Sequence, residues 1–586
     1  MTPGAGDRGR TADGVSDAQA MRDQSTSVRA TRRWATAGAL LLVVGACSGD
    51  DDDGSAPTTT VDSAATQAPE GDYELTSSGV PRVEEGDCVD RVPTTDRVRC
   101  LTLVVPESRG VAGAESERLV RLPVVIVAAQ EPSGRLSDPV LWIDYGPGDG
   151  FVAGRARNFI DEANQLNRDR DVITLDLRGS GLAEPTLACP EVTDLNTGAF
   201  AAEIDETSPE GRTMRLDAIR QCHDRLVDEG VDLSAFASAD AAEDLEDLRL
   251  ALGVEQWNLV VGEYGSRLAQ ILVRDHPEGV RSVVVNSTPV PLQADWFADL
   301  APNAARGWSA LVATCEADAG CAQAFPDLAG RLDGFIADLA ATPRRFDEVQ
   351  LDGPLRAPFL LTSSRLLSYV RFYGRVSQSL GDMPLSIAGP RGGSAGTLQT
   401  FDPDDPDTLK FQASDAYFTG AWGLWELVPQ NASTDNGLYA LGAHLSAVCR
   451  DEAPFTEDGR LAAAASTPLF GPFLGRHADL EACDVWAVDP SPASANEAVR
   501  SDVPFLVFAG DLDTVSSPEW ADAFSEGLSD TQVVHFAGLG TQPTGPPETT
   551  AQQCARQLRD AFLAEPTAPV DDACVATSHG PAFSLP

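Results

Sequence analysis

From about residue 100, short apolar runs rich in Val, Ile and Leu alternate with amphipathic stretches. The runs predict β-strands at 101–105, 120–127, 140–143, 172–175, 257–261 and 283–285. Between two of them, Leu245, Leu248 and Leu252 recur at the spacing of one helix face, which predicts a helix over 240–252. Strands that alternate with helices indicate a mostly parallel sheet with helices packed on it.

The pattern changes near residue 291, where Ala-, Leu- and Trp-rich helical stretches continue to about residue 440. Strand patterns then return at 505–508 and 532–536, and a helix is predicted at 554–563. The chain therefore divides into a first α/β segment at 79–290, a helical insertion at 291–440 and a second α/β segment at 441–586. The aromatic side chains of the insertion, Trp296 and Trp308 among them, either form its own core or cover a cleft.

The N-terminal region has the features of an export signal. Arg29, Arg32 and Arg33 precede an apolar run over 35–46. A run of ~12 residues is too short to span a bilayer as a helix and is typical of a signal peptide. Translation begins at Met1 or at Met21, and the sequence leaves this open.

Cys47 follows the apolar run after Val-Gly-Ala, and Ser, Gly and four Asp come next. This arrangement resembles the lipobox of bacterial lipoproteins, in which the cysteine is lipidated; the alternative is an ordinary signal peptide with a chance cysteine. We expect residues 1–47 to form a signal peptide with a lipobox and 48–78, rich in Asp, Ser, Thr and Gly, to be a disordered linker. The protein would then be exported and held at the extracytoplasmic face of the membrane by its N-terminal lipid.

The charge balance narrows the range of partners. The chain has 43 Lys and Arg against 89 Asp and Glu, a net charge of −46. Nucleic-acid binding needs clustered basic side chains, so we expect no nucleic-acid partner. Neither a nucleotide-binding loop nor a metal-binding or cofactor motif is present, and we therefore expect neither a metal nor a cofactor.

Cys47 leaves ten further cysteines, an even number that indicates disulfides in an exported chain. None of them has zinc-site spacing. Pairing sequence neighbours gives the simplest prediction: Cys88–Cys100, Cys189–Cys222, Cys315–Cys321, Cys449–Cys483 and Cys554–Cys574.

Four segments together carry a family resemblance. They are Tyr-Gly-Pro-Gly at 145–148, Asp-Leu-Arg-Gly-Ser-Gly at 176–181, the strand and turn at 257–269, and Gly-Asp-Leu-Asp at 510–513. They resemble the Gly-Gly-Pro-Gly loop, the Asp-x-Arg-Gly-x-Gly segment, the nucleophile turn and the acid-bearing strand end of the exported prolyl and tripeptidyl aminopeptidases. That family belongs to the α/β-hydrolase superfamily. The resemblance implies an α/β-hydrolase fold with an inserted helical cap and a serine hydrolase site.

Two of the three catalytic positions implied by the resemblance hold other residue types. The nucleophile position is Glu263, the acid position is Asp513 and the histidine position is Thr541. A threonine has no group that titrates near neutral pH and cannot accept a proton from a nucleophile. His535, the nearest histidine, falls within a predicted strand. Val261 stands where the family has its first glycine, so we expect a wider or shifted turn.

The backbone groups that would stabilise an oxyanion remain by analogy. They are the N–H of Tyr264 and a loop N–H near Tyr145 and Gly146; alternatively, the loop forms only a tight turn. The Glu263 carboxylate would pair with Arg267 or Arg178, or bind a cation such as a peptide amino terminus. Asp513 is either a triad acid or a carboxylate that accepts backbone N–H bonds after its strand.

Three functional hypotheses follow. The first is a catalytically impaired cell-envelope lipoprotein that binds a peptide or small-molecule ligand in its cleft. The second is an active hydrolase that uses Glu263 in an unorthodox mechanism. The third is an envelope scaffold whose cleft is filled.

Overall fold

A computed structural model describes residues 73–585, except for the segments given at the end of this paragraph. The lipidation candidate Cys47, the signal peptide at 1–47, most of the linker at 48–78, and Tyr145 lie outside the described residues. The segments left out of the range are 74, 77, 90–91, 94, 110–117, 145, 153–158, 161, 198–202, 288, 353–354, 376–379, 382–383, 385–438, 475–477, 542–543, 545–548 and 581.

The described residues form a nine-stranded sheet in the order β1-β2-β3-β5-β4-β6-β7-β10-β11, and a separate hairpin of β8 and β9. The bounds are β1 Arg82–Gly86, β2 Val98–Pro106, β3 Leu119–Val127, β4 Val140–Ile143, β5 Val172–Leu175, β6 Trp257–Gly262, β7 Val280–Ser287, β8 Arg344–Asp352, β9 Leu355–Leu361, β10 Phe505–Gly510 and β11 Thr531–Phe536.

The pairs β1–β2, β2–β3 and β3–β5 are antiparallel. From β5 onward the neighbours in the sheet, β5, β4, β6, β7, β10 and β11, pair parallel to one another. Parallel strands place their carboxyl ends at one edge of the sheet. The turns that follow β4, β6, β7 and β10 therefore meet at that edge, which is where a ligand site is expected in an open α/β sheet.

Both faces of the sheet are covered, as the near-continuous apolar runs require. In β10, Phe505 and Val507 pack on one face with the helices between β5 and β7, and Leu506 and Phe508 pack on the other face. The alternation follows from the two-residue period of a strand. All four side chains are fully buried.

The described part of the chain has fourteen α-helices. Their bounds are α1 Pro190–Thr197, α2 Pro209–Asp228, α3 Ser238–Ala251, α4 Tyr264–Asp275, α5 Trp296–Ala317, α6 Ala319–Ala324, α7 Leu328–Ala341, α8 Ser363–Arg375, α9 Leu441–Asp451, α10 Asp458–Ala464, α11 Gly471–Leu474, α12 Ala478–Trp486, α13 Pro518–Ser525 and α14 Thr550–Ala564.

The insertion has an apolar core of its own, built largely from α5, α7 and α8. Leu300, Trp308, Leu332 and Leu367 are buried in it. The antiparallel hairpin of β8 and β9 also lies within the insertion, where the sequence analysis predicted only helices. The hydrophobic period of that segment is too weak to distinguish a two-stranded hairpin from a loop.

The predicted α/β-hydrolase architecture is confirmed. The strands predicted at 140–143 and 172–175 coincide with β4 and β5, and the helix predicted at 240–252 is α3. The edge strand β1 was not predicted, because its sequence, Arg-Val-Glu-Glu-Gly, carries one buried apolar side chain only.

The five disulfides predicted from sequence neighbours are also confirmed. Cys449 and Cys483 join α9 to α12, while Cys315 and Cys321 join the end of α5 to α6. Across the described residues, every helix is too short or too polar to span a membrane.

The disulfides Cys449–Cys483 and Cys315–Cys321 should differ in their effect on stability. A disulfide that closes a longer loop removes more conformational entropy from the unfolded chain. Cys449 and Cys483 are 34 residues apart, and Cys315 and Cys321 are 6 apart. We expect Cys449→Ala/Cys483→Ala to lower the free energy of unfolding by about 4 kcal/mol and Cys315→Ala/Cys321→Ala by about 2 kcal/mol. Urea denaturation of both double variants measures the difference; equal losses would contradict the entropic explanation.

Candidate functional site

The turn between β6 and α4 has the shape of a nucleophile turn. Glu263 joins the strand directly to the helix with φ 50° and ψ −122°. Its carbonyl oxygen accepts hydrogen bonds from the N–H and the Oγ of Ser266, at 3.0 Å and 2.6 Å. These bonds close the first turn of α4 beneath Glu263.

Two glycines make this turn possible. A Cβ at Gly262 would lie 2.3 Å from Asp144 Oδ1, and a Cβ at Gly265 would lie 2.1 Å from the carbonyl oxygen of Ile143. Val261, where the sequence analysis expected a wider or shifted turn, is a residue of β6, and the register between β6 and β7 shifts between Val261 and Gly262. The space that the turn needs comes from the glycines at 262 and 265.

A cavity opens at this edge of the sheet; its empty space, counted together with the solvent at its mouth, is about 510 Å³. Its apolar or glycine lining comes from the turns after β4, β7 and β10, from the start of α5 and from α9: Gly146, Pro147, Val290, Trp296, Val515, Ala447 and Val448. Its polar lining comes from α3, α4, α9 and the turn before α4: Ser238, Glu263, Tyr264, Arg267, Asp451 and Glu452.

The Arg267 guanidinium forms an ion pair at the polar end of the cavity. Its Nη1 lies 2.7 Å from Glu452 Oε1, and its Nη2 donates to the carbonyl oxygen of Asp451 at 3.3 Å. Burial raises the pKa of Glu452 to about 7, although the charge of Arg267 opposes this rise; the neighbouring carboxylates of Asp451 and Asp295 add to it. The cavity wall thus contains a carboxyl group that titrates near neutral pH.

A second polar network joins α3 to α9. Ser238 at the start of α3 donates to Asp451 Oδ2 from its backbone N–H, at 2.8 Å, and from its Oγ, at 2.5 Å. Tyr264 in turn donates from its hydroxyl to Ser238 Oγ at 3.0 Å. Burial raises the pKa of Tyr264, so this hydroxyl stays protonated as a donor.

The loop expected to complete an oxyanion hole has a local partner. Gly146 donates its N–H to Asp149 Oδ2 at 3.2 Å, within the turn after β4. Gly146 also has φ +95°, and a Cβ there would lie 3.1 Å from the ring of Tyr264. The loop therefore packs closely against the first residue of α4, and its Gly146 N–H, expected to face an oxyanion, donates to a carboxylate.

Asp513 lies in the turn after β10 and is almost fully buried. Its Oδ1 accepts hydrogen bonds from the backbone N–H groups of Val515 and Ser516 at 2.7 Å and 3.3 Å, and its Oδ2 accepts one from Ser516 Oγ at 2.8 Å. These bonds hold the turn that carries Val515 into the cavity wall. Asp513 itself does not line the cavity.

Thr541 is buried in the segment after β11 and does not line the cavity either. His535 lies within β11, as predicted, with its side chain half-exposed and its Nδ1 3.8 Å from Asp511 Oδ1. None of the lining residues is a histidine; His477 lies outside the described residues. The other imidazoles with a near carboxylate form the pairs His223–Asp224, His276–Glu243 and His444–Asp479.

The site thus brings together Glu263, Tyr264 and Gly146 of the residues chosen from the sequence. Arg178, one predicted partner of Glu263, instead forms two hydrogen bonds to Asp244, at 2.7 Å and 2.6 Å. The sequence analysis missed the acidic contribution of α9. Asp451 and Glu452 are distant along the chain from the turn, and their sequence signal is only that they lie at the end of the helix that begins the second α/β segment.

The parallel sheet, the turn at Glu263 and the cap define an α/β-hydrolase fold. A family model described as the α/β-hydrolase fold matches residues 149–345, and one described as TAP-like protein matches residues 467–574. The chain therefore has the α/β-hydrolase fold, and its second α/β segment is similar to TAP-like proteins.

Proteins named serine protease Hip1, from Mycobacterium tuberculosis strain H37Rv and Mycobacterium bovis, are 25% identical to the chain over 187 residues. Each match covers 30% of this chain and 34% of the relative, so the chain spans about a third of the length of the curated relatives it matches.

Solved structures that are similar include proline iminopeptidase from Mycobacterium smegmatis and a putative epoxide hydrolase from Pseudomonas aeruginosa. The first is 13% identical, covers 76% of this chain and 96% of its own, and has a TM-score of 0.33. The second is 14% identical, covers 80% and 97%, and has the same TM-score, 0.33.

The backbone at Glu263 should carry measurable strain. A φ near +50° is unfavourable for a residue with a Cβ atom, whereas glycine adopts it readily. Glu263→Gly and Glu263→Ala both remove the side chain, and only the first relieves the backbone. We expect the free energy of unfolding of the glycine variant to exceed that of the alanine variant by about 1–2 kcal/mol. Chemical denaturation compares the two; an alanine variant as stable as the glycine variant would contradict a strained turn.

The raised pKa of Glu452 predicts a pH dependence of stability. Between about pH 4.5 and pH 7 the unfolded chain has this carboxyl ionised while the folded protein keeps it protonated. Stability should therefore fall as pH rises through that window, with a slope of up to about 1.4 kcal/mol per pH unit from this group.

Glu452→Gln replaces the titrating carboxyl group with a neutral amide of similar size and is the matched control. Urea denaturation at pH 5, 6, 7 and 8 should show the variant gaining stability relative to the wild type as pH rises. Parallel curves for the two proteins would show that Glu452 titrates normally.

Proposed function

We propose that this chain is a catalytically impaired hydrolase that binds a peptide or small-molecule ligand in its cavity. The observation that carries the proposal is Glu263: a carboxylate occupies the turn where a serine hydrolase needs a hydroxyl, and the described cavity wall has no histidine. Loss of triad members typically leaves only a residual ~10³–10⁴-fold rate enhancement over water. The resemblance of the sequence around Cys47 to a lipobox supports the further proposal that the protein is anchored in the cell envelope.

The charge of the cavity indicates the kind of ligand. Glu263 and Asp451 line it with acidic side chains, Glu452 adds a carboxyl group that ionises near pH 7, and Arg267 is the basic residue of the lining. Val290 and other apolar residues line the rest. This combination favours a ligand that carries an ammonium group beside an apolar one, such as the amino terminus of a peptide.

The two alternatives have less support. Catalysis by Glu263 needs a base to resolve an ester or to activate water; the lining residues supply no imidazole, and Glu452, which titrates near pH 7, is ion-paired with Arg267. A completely filled scaffold cleft has less support because open space remains beside Glu263 and Arg267.

The test combines hydrolysis and binding on purified protein. We expect fluorogenic aminoacyl, tripeptidyl and simple ester substrates to be hydrolysed no faster than by the Glu263→Ala variant. We also expect calorimetry to show that Leu-Ala-Ala amide with a free amino terminus binds, and that its N-acetylated form binds at least tenfold more weakly, because acetylation removes the ammonium charge.

The variant Glu263→Gln keeps the size of the side chain and should weaken binding of the free peptide about tenfold, which corresponds to 1.4 kcal/mol. Glu526→Gln, an exposed position outside the cavity, is the matched control and should bind as the wild type does. Substrate turnover that Glu263→Ala abolishes would contradict the proposal, as would equal affinity for the free and acetylated peptides.

A further inference from the structure

Residues 578–585 form a strap that crosses from the α/β core to the insertion, and the core end of this strap is firmly attached. The disulfide between Cys554 and Cys574 holds the preceding segment on α14, where Cys554 is buried. The His579 N–H then donates to Thr550 Oγ1 at the start of the same helix, at 2.9 Å. The strap therefore begins at a point that is covalently fixed to the core.

The strap passes the turn after β11 and reaches the insertion. A Cβ on Gly580 would clash with the carbonyl oxygen of Gly538 in that turn, so the two backbones are in contact. Further along, Phe583 packs against the apolar core of the insertion. The Ser584 N–H donates to the carbonyl oxygen of Gly381, which follows α8, at 2.8 Å. One short segment thus contacts both the core and the interior of the insertion.

The end of the strap on the insertion is less buried than the end on the core. Leu585 is 50% exposed, and Phe583 is partly buried. Leu585 lies against α6, where a Cβ on Gly320 would be 3.0 Å from Leu585 Cδ1. Segments with few buried apolar contacts open at a lower free-energy cost than the core of a protein. We therefore expect the insertion end to detach while the disulfide keeps the core end in place.

Another attachment of the insertion to the core does not involve the strap. Arg306 of α5 donates from Nη1 to the carbonyl oxygen of Asp511 at 2.8 Å and from Nη2 to that of Asp513 at 2.6 Å. The neighbouring Gly307 lies against the same turn, with no room for a Cβ beside the carbonyl oxygen of Asp513. This contact fixes α5 on the turn after β10, whereas the strap holds α6 and the segment after α8.

We propose that the strap is a releasable contact between the core and the insertion. When its insertion end detaches, α6 and the segment after α8 move relative to the sheet, while the contact of α5 with the turn after β10 persists. Trp296, at the start of α5, and Val515, in the turn after β10, both line the cavity. Release of the strap thus loosens the outer part of the insertion and leaves this cavity wall in place. The proposal goes beyond the proposed function and does not depend on which ligand the cavity binds.

Hydrogen exchange followed by mass spectrometry on the full chain tests the proposal. The variant Phe583→Ala/Leu585→Ala removes the apolar contacts of the insertion end. We expect amides of α6 and α8 to exchange at least tenfold faster than in the wild type, because the insertion opens more often. Amides of β6, β7 and the first turns of α5 should keep their wild-type rates. Leu250→Ala, which truncates a 54% exposed side chain of α3, is the matched control and should exchange as the wild type does.

A second variant displaces the strap at its other contact. Gly580→Ala places a Cβ against the carbonyl oxygen of Gly538 and should raise the same exchange rates in α6 and α8. Unchanged rates in these helices in both variants would overturn the proposal. Exchange that accelerates equally in the insertion and in β6 and β7 would also overturn it, because that result indicates a general loss of stability.

Discussion

The close passage of the chain from β6 into α4 beneath β4 is the constraint on which the site depends. Gly265 lies against the carbonyl oxygen of Ile143, and Gly262 lies against Asp144. Neither position has room for a Cβ, and the residue between them must take φ near +50°. The turn is therefore fixed by backbone packing and does not depend on which side chain stands at Glu263.

Because backbone packing determines the shape of the turn, the fold can keep that shape with a glutamate at position 263. A strained backbone persists only where the surrounding structure determines it. Here the surrounding structure is the parallel sheet, with β4 and β7 paired on either side of β6. A carboxylate at the amino-terminal end of α4 is also electrostatically favourable, because the helix dipole is positive there.

Polar groups that a hydrolase would use have structural partners in this protein. The Gly146 N–H donates to Asp149, and the Asp513 carboxylate accepts three hydrogen bonds from its own turn. Because buried polar groups need partners, these contacts stabilise the site in the absence of a substrate. Among the described residues, these contacts hold both groups within their own turns and do not link them to Glu263.

The sequence predicted the fold well and the site in part, for different physical reasons. Strands such as β4 and β5 are buried on both faces, so their apolar runs have clear limits. β1, at the sheet edge, and the hairpin β8–β9 lack such a pattern. The turn at Glu263 was found because its residues are contiguous. The pairing of Arg267 with Glu452 was not, because it depends on how α9 packs against α4, and no local pattern records that contact.

The helix that supplies the acidic wall is held in place from its other side. Cys449, two residues before Asp451, is bonded to Cys483 of α12. One turn earlier, the ring of His444 lies 2.9 Å from the Asp479 carboxylate, which also accepts a hydrogen bond from Arg215 at 3.0 Å. These contacts fix α9 by a covalent bond and a buried network before any ligand enters. Binding is weakened by the entropy lost when mobile groups become ordered, and the proposed function therefore requires carboxylates that are already held in place, as they are on this helix.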